Sequence, residues 1–254
     1  MFTPEFLQHN QIFINNTKET SRHSMPSIAA SLDDDPSTQD NQELVEIVIK
    51  AVQIANSMQI DSNLNLPDSK WFNIFPGEHY RLLAGLIQVI KPKSLVDIGT
   101  SSGMSARVMI DYSQPNAIVT TFDIEPWHSF PSHLNPEDFR RESVKQKLLD
   151  LSKKKIFEQE FSILNDAEFI FCDAPKDGRF EYALTENMKL KTFSPKKRYL
   201  LLDDIRFVNM LPLWRNIRSP KLDITSFGHF SGTGIVDISK GLDMGRNYQI
   251  TQSL

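Results

Sequence analysis

Five aspartates close four short apolar runs in this chain, and that repeated punctuation narrows the architectures open to it more than any other feature. The runs are residues 94–98, 117–122, 167–172 and 199–202, and their acids are Asp97, Asp123, Asp173 and the pair Asp203 and Asp204. Helix-like stretches stand between them. Short buried strands alternating with helices imply right-handed crossovers and a mostly parallel α/β sheet covered on both faces. Ligands of such sheets lie beyond the carboxyl ends of the strands, near the point where strand order reverses. The five acids are therefore expected on one rim.

The first run breaks into a turn of small residues, Gly99, Thr100, Ser101 and Ser102, before a helix expected to start near Gly103. A strand that turns directly into a helix leaves backbone N–H groups and a positive helix end pointing outward. Gly99 is expected to let a ligand lie against the main chain, and Gly103 to let the helix start close to the strand. An acid at Asp97 repels phosphate but accepts hydrogen bonds from an ammonium group. The turn thus suits a zwitterionic amino-acid moiety better than a pyrophosphate.

The rest of the chain supplies a frame around that turn. Its 254 residues, 40% hydrophobic and 10% aromatic, suffice for one large core. Residues 1–40 read as a polar arm, 41–92 as helices and an aromatic loop, and 93–254 as the α/β core. Leu44, Ile47, Val48, Ala51, Ala55 and Met58 recur at helical spacing. This stripe reads as a buried packing face, and would suit a homodimer contact or a lid equally well. Residues 67–77, with Trp71, Phe72, Phe75 and Pro76, form the aromatic loop, and residues 78–90 a second helix stopping before Pro92. Residues 105–112, 137–151, 179–191 and 207–217 also read as helices, with Lys153 to Lys155 a solvated helix end. Residues 156–167 offer little besides Phe157 and Phe161, so the third strand of the sheet is expected to be truncated. Residues 222–227 and 234–238 read as an antiparallel pair around a turn containing His229.

Charge and composition exclude several classes of partner. With 28 basic and 32 acidic residues, net −4, no electrostatic footprint for nucleic acid or an anionic membrane is present. No apolar stretch approaches the roughly twenty residues of a membrane span. A lone Cys172 forms no internal disulfide, which fits a cytoplasmic protein.

Asp123 closes the second strand about twenty residues beyond the glycine turn, the place for an acid that accepts hydrogen bonds from ribose hydroxyls. Nicotinamide dinucleotides and S-adenosylmethionine share that contact. The turn lacks the G-x-G-x-x-G phosphate fingerprint, and Asp97 stands where a methionine amine needs a partner. The pattern argues for S-adenosylmethionine.

On these residues, the stretch from about 76 to 238 resembles the class I S-adenosylmethionine-dependent methyltransferases, and within them the cation-dependent O-methyltransferases that include catechol O-methyltransferase. The resemblance implies a Rossmann-like methyltransferase fold with helices on both faces and an antiparallel C-terminal hairpin. It implies that Asp97, Gly99, Thr100, Ser101, Gly103 and Ser105 hold the methionine part of the cofactor and Asp123 the ribose. Ile124, Glu125 and Trp127 fall beside the adenine, and Asp173 borders the cofactor. It further implies that Asp173, Asp203 and Asp204 hold Mg²⁺, with Lys176 as the catalytic lysine. Asp204 departs from the family pattern, which has an asparagine there. The activity implied is O-methylation of a hydroxylated small molecule. The metal would lower the pKa of the acceptor hydroxyl, and Lys176 would take or stabilise its proton, best with its own pKa lowered. Arg206, Trp214, His229 and residues 232–234 are further rim candidates, His229 more as a structural histidine without an evident partner. A metal-independent methyltransferase and a non-catalytic cofactor-binding protein are the alternatives, and a dinucleotide oxidoreductase is disfavoured by the turn.

Overall fold

The computed structural model describes residues 42–61, 66, 68–73, 79–189 and 196–245. The polar arm and residues 74–78 of the aromatic loop lie outside the described residues.

Helix α1 (Gln42–Ser57) buries Leu44, Val48, Ala51 and Ala55, the stripe its spacing predicts. A 3₁₀ turn (Ser69–Phe72) puts the Phe72 ring wholly inside, and α2 (His79–Ile90) follows, buried along most of its length. Lys91 ends α2 in a left-handed conformation and donates its N–H to the Ile87 carbonyl, just ahead of Pro92.

Four parallel strands form the centre of the molecule: β1 (Ser94–Ile98), β2 (Ile118–Asp123), β4 (Phe169–Cys172) and β5 (Tyr199–Asp203). Edge strand β3 (Val144–Leu148) extends the sheet beyond β2, and β6 (Lys221–Asp223) and β7 (Thr233–Asp237) complete the other side. The order is β3-β2-β1-β4-β5-β7-β6, with β7 antiparallel to both β5 and β6. The direction of winding reverses between β1 and β4.

Alternate residues of the central strands feed two apolar layers, which is why these runs read as continuously hydrophobic. Leu95, Phe169, Phe171, Tyr199 and Leu201 pack with α1, α2 and α3 (Met104–Tyr112) on one face. Val96, Ile98, Ile170, Cys172, Leu200 and Leu202 pack on the other. There they meet α4 (Lys154–Gln159), α5 (Phe161–Asp166), α6 (Arg179–Lys189) and α7 (Leu211–Asn216). Each large side chain buried this way contributes about 1.5–3 kcal/mol relative to exposure. The Cys172 thiol is buried and its pKa pushed well up by burial and the nearby Glu181 and Asp173 carboxylates, so it is unreactive packing.

Several expectations are corrected. Residues 137–151 are not a helix: a 3₁₀ turn (Asp138–Arg140) leads into β3, which pairs in parallel with β2 from Val119–Val144 to Asp123–Leu148. An edge strand buries little, so Lys145 and Lys147 interrupt it as they would a solvated helix; only Val144 is buried. The third strand is thus present, and residues 156–167 instead carry most of α4 and α5. The lysine run 153–155 is exposed as expected, at the start of α4 rather than at a helix end. The helix expected over 207–217 is shorter, because turns occupy residues 204–210 before α7. The strand expected over 222–227 stops at Asp223 and gives way to a 3₁₀ turn (Thr225–Phe227). Among the described residues no helix is long and apolar enough to cross a membrane.

Candidate functional site

The carboxyl ends of β1, β2, β4 and β5 carry Asp97, Asp123, Asp173 and the pair Asp203 and Asp204, as the sequence leads one to expect. Of the four non-glycine residues with positive φ among the described residues, three sit in the loops of this rim: Ser101 at 43°, Lys176 at 63° and Asp204 at 59°. Left-handed backbone at residues with a side chain stores strain and concentrates at ligand sites.

At β1 the chain turns through Gly99, whose N–H is donated to the Phe122 carbonyl at 2.9 Å. The reason for glycine differs from the expected one. Its φ is +103°, and a Cβ there would stand 2.1 Å from the main-chain oxygen of Asp173. The neighbouring loop after β4, rather than a ligand, excludes a side chain. Gly103 caps α3 at φ +78°, and a Cβ there would meet Leu134 Cγ at 2.6 Å. Residues 132–134 therefore close over the start of α3 instead of the strand doing so. His133 N–H is donated to the Ser102 carbonyl at 2.8 Å, and its ring nitrogen lies 3.0 Å from Asp68. Arg107 grips Asp138 with one guanidinium nitrogen at 2.9 and 3.0 Å from the two carboxylate oxygens, tying α3 to the same loop.

Asp97 is fully buried. Thr121 donates its hydroxyl to Oδ2 at 2.7 Å, while Oδ1 makes no hydrogen bond with any described group. Burial pushes the carboxyl up from 3.8 to about 7, against the pull of the Thr121 and Ser105 hydroxyls. Ser105, in the first turn of α3, is buried beside it. Thr100 is buried too, but its hydroxyl is turned into the sheet, 2.5 Å from that of Thr121. Asp123 accepts three backbone N–H donors: Ser101 at 2.9 Å, Ile124 at 2.7 Å and Glu125 at 3.0 Å. Its carboxylate is thereby fixed to the glycine turn. Ile124 beside it is 70% exposed, and Trp127 stacks on Phe139 with ring centroids 5.4 Å apart.

The other half of the rim is a tight polar cluster. Lys176 Nζ stands 3.0 Å from Asp173 Oδ1 and 2.6 Å from Asp204 Oδ2. The loop that presents it is clamped by buried Glu181, which accepts the Lys176 N–H at 2.8 Å and the Gly178 N–H at 3.0 Å. Burial alone would lower the Lys176 pKa, but Asp173, Asp204 and Asp203 together hold it above the usual lysine range. The expected lowering is thus reversed: the side chain is an ammonium. Asp173 is raised to about 7 by burial and by Asp203, despite Lys176. Asp204 caps no helix, since the next one starts at Leu211.

His229 does have partners. Its Nδ1 lies 3.2 Å from Asp203 Oδ2, 3.3 Å from Asp204 Oδ1 and 2.8 Å from the Ser231 hydroxyl, which itself donates to Asp204. Burial disfavours its charged form, yet the two carboxylates raise it to about 10. In turn Asp203 is held at about 2: burial would raise it, and His79, His229 and Lys176 outweigh that. His79, the first residue of α2, is buried with its ring centroid 4.9 Å from that of His229. The Tyr80 hydroxyl is pushed well up by burial and by Asp173 and Asp203.

Two other rim candidates are structural. Arg206 forks onto Asp223 Oδ2 at 3.0 and 2.8 Å, and Trp214 is core. His79, Glu181 and Ser231 are the site residues that sequence reasoning missed. The signals were faint: a histidine opening an apolar helix, an acid three residues past a loop glycine, and a serine two residues past His229.

Five parallel strands, a switch between β1 and β4, and β7 inserted antiparallel between β5 and β6 decide the architecture. It is the Rossmann-like methyltransferase fold. No family model and no curated protein sequence matches the chain. Solved structures similar to it include the SAH-bound methyltransferase PaMTH1 of Podospora anserina, at 13% identity over 97% of this chain and 98% of that one, with a TM-score of 0.44. An O-methyltransferase from Bacillus cereus in complex with SAH is 15% identical over 88% of this chain and all (100%) of that one, with a TM-score of 0.42. The O-methyltransferase TomG from Streptomyces achromogenes, in complex with SAM, is 16% identical over 79% of this chain and 90% of that one, with a TM-score of 0.43.

The residues fit both implied groups. Asp97 Oδ1 is a buried acceptor without a donor, the complement of an amino-acid ammonium, and Asp123 is a carboxylate held by backbone donors at the end of β2, of a kind that accepts from hydroxyls. Asp173, Asp203 and Asp204 each offer an oxygen, all within 4.8 Å of one another, a donor set suited to a hard divalent cation such as Mg²⁺.

Proposed function

We propose that this chain is an S-adenosylmethionine-dependent methyltransferase that transfers a methyl group to a hydroxyl of a small molecule, with a divalent cation at the rim acids. The observation that carries the reading is Asp97: a fully buried carboxylate with one oxygen lacking a hydrogen bond, under a strand-to-helix turn. A buried unsatisfied oxygen costs about 1–3 kcal/mol, a cost that an ammonium donor removes on binding.

The cofactor, when bound, supplies an electrophilic sulfonium methyl. Asp97 and Ser105 would orient its amino-acid end, Asp123 its ribose, and the surface of Ile124, Glu125 and Trp127 its base. Residues 132–134, packed on Gly103, exclude water from the start of α3. A cation held by Asp173, Asp203 and Asp204 would lower the pKa of an acceptor hydroxyl. Without a cation, Asp173, Asp204 and Asp203 hold Lys176 as an ammonium; a cation on those acids would relax that hold, leaving Lys176 placed to take the hydroxyl proton or to stabilise the oxygen it leaves, while the cofactor departs as the neutral thioether. In-line transfer then needs alignment and a competent nucleophile.

A metal-independent variant of the same reading is favoured by one observation: the Lys176 ammonium already neutralises Asp173 and Asp204. Chelator decides between the two, since turnover that survives it unchanged belongs to the metal-independent form. The reading as a whole is tested by calorimetry with S-adenosylmethionine. The protein is expected to bind it and Asp97→Ala to bind about tenfold or more weakly, as loss of a charged hydrogen bond requires. Absence of binding to the folded protein overturns it.

A further inference from the structure

A second group of potential ligands shares Asp203 with the three acids and uses neither of the oxygens that Lys176 holds. His79, Asp203 and His229 are all buried and offer atoms that lie within 4.8 Å of one another. They come from three separate elements: the start of α2, the end of β5 and the turn before β7. Thr233 steadies the group from outside: its hydroxyl is donated to Asp203 Oδ1 at 3.4 Å and accepts the His229 backbone N–H at 2.8 Å. Such outer hydrogen bonds are what orient the ligands of metal centres.

The two donor sets differ in one decisive respect. In the all-acid set, two of three members are already engaged by the Lys176 ammonium, at 3.0 and 2.6 Å. Among the described residues, the shared carboxylate is paired within salt-bridge distance with His229 and with no ammonium, and a metal would displace the His229 proton. A cation on the histidine side of Asp203 leaves both lysine pairs intact. Imidazole nitrogen beside carboxylate is a donor set for Mn²⁺, Fe²⁺, Co²⁺ or Zn²⁺, whereas Mg²⁺ prefers oxygen alone.

We infer that the rim binds a transition-metal ion through His79, Asp203 and His229, in preference to Mg²⁺ on the acids alone. The inference deepens the proposed methyltransferase reading and rests on it for the purpose of the site, which would set an acceptor hydroxyl beside the metal's open positions and opposite Lys176.

The test uses the full chain without cofactor. Mn²⁺ bound to the protein is expected to show nitrogen modulation in pulsed electron paramagnetic resonance, and His229→Gln to abolish or weaken it. His79→Gln and His229→Gln are each expected to weaken Co²⁺ binding by about tenfold or more, while Mg²⁺ binding changes by less than about twofold. Bound Mn²⁺ without nitrogen modulation overturns the inference, as do equal Co²⁺ affinities in the wild type and both variants, or no divalent binding at all. The wild-type spectrum requires no variant to fold. S-adenosylmethionine calorimetry on the same preparations separates the two claims: binding there with no nitrogen-coupled metal removes the metal site and leaves the methyltransferase reading standing.

Discussion

Replacing Asp97 by asparagine is expected to make the cofactor-free protein more stable at pH 8 and a poorer binder at once. The carboxyl is raised from 3.8 to about 7 in the folded state, chiefly by burial. The native protein thus holds this proton more tightly than the unfolded chain does, so stability falls as pH rises from about 4 and levels off above about 7. At 1.36 kcal/mol per pH step, the penalty grows by about 3 kcal/mol between pH 5 and pH 7 and then stays constant. Asparagine keeps an acceptor for the Thr121 hydroxyl and cannot ionise, so the variant escapes that growth. For a chain of this size the gap in Tm should widen in the variant's favour by about 5–10 °C between pH 5 and pH 8. Asp173, also raised to about 7, is present in both proteins and largely cancels from the comparison. Thermal unfolding followed by circular dichroism across that range is the assay. S-adenosylmethionine affinity should fall about 10–100-fold in the same variant, for want of a charged acceptor. A Tm gap that does not change with pH would refute the reasoning, because it would mean that Asp97 does not titrate in this window.

Other perturbations address the rest of the rim. Gly99→Ala should cost about 2–5 kcal/mol in chemical denaturation, from its φ of +103° and the 2.1 Å approach to Asp173 O combined; a loss under about 0.5 kcal/mol would contradict that packing. Lys176→Met should lower kcat by about 10²–10⁴, with S-adenosylmethionine affinity nearly unchanged; equal losses in both would make Lys176 a structural tie. Arg107→Lys keeps the charge but cannot hold Asp138 with one nitrogen and Asp111 with another, and should lower stability by about 1–2 kcal/mol in urea titration.

The strands that were legible in the sequence are those buried on both faces. Phe169 and Phe171 serve one apolar layer and Ile170 and Cys172 the other, so the run carries no polar break until Asp173. Strand β3 escaped the same reasoning because it is an edge. Gln146 spends its amide on Thr100, Glu125 and Trp127, and Lys147 pairs with Glu160 at 2.6 Å, contacts that only the folded sheet creates. Acids at strand ends can be placed by position along the chain, which is why Asp97, Asp123, Asp173, Asp203 and Asp204 fall where expected. His79 and His229 cannot, because 150 residues separate them and only the return of β7 beside β5 brings them within reach. The protonation of Lys176 was equally hidden, since it depends on Asp204 arriving from the next strand.

The missing side chain at Gly99 has a consequence for anyone wishing to redesign the loop after β4. The peptide carbonyl of Asp173 occupies the room a side chain would fill, so the exit of β4 is moulded against the turn after β1. A graft of a new segment after β4 should be joined beyond Asp173 and leave that carbonyl where it is. Residues 174, 175 and 177 can then be exchanged around Lys176 and Gly178, which the Glu181 carboxylate holds in place, whereas a seam placed one residue earlier would disturb the turn after β1.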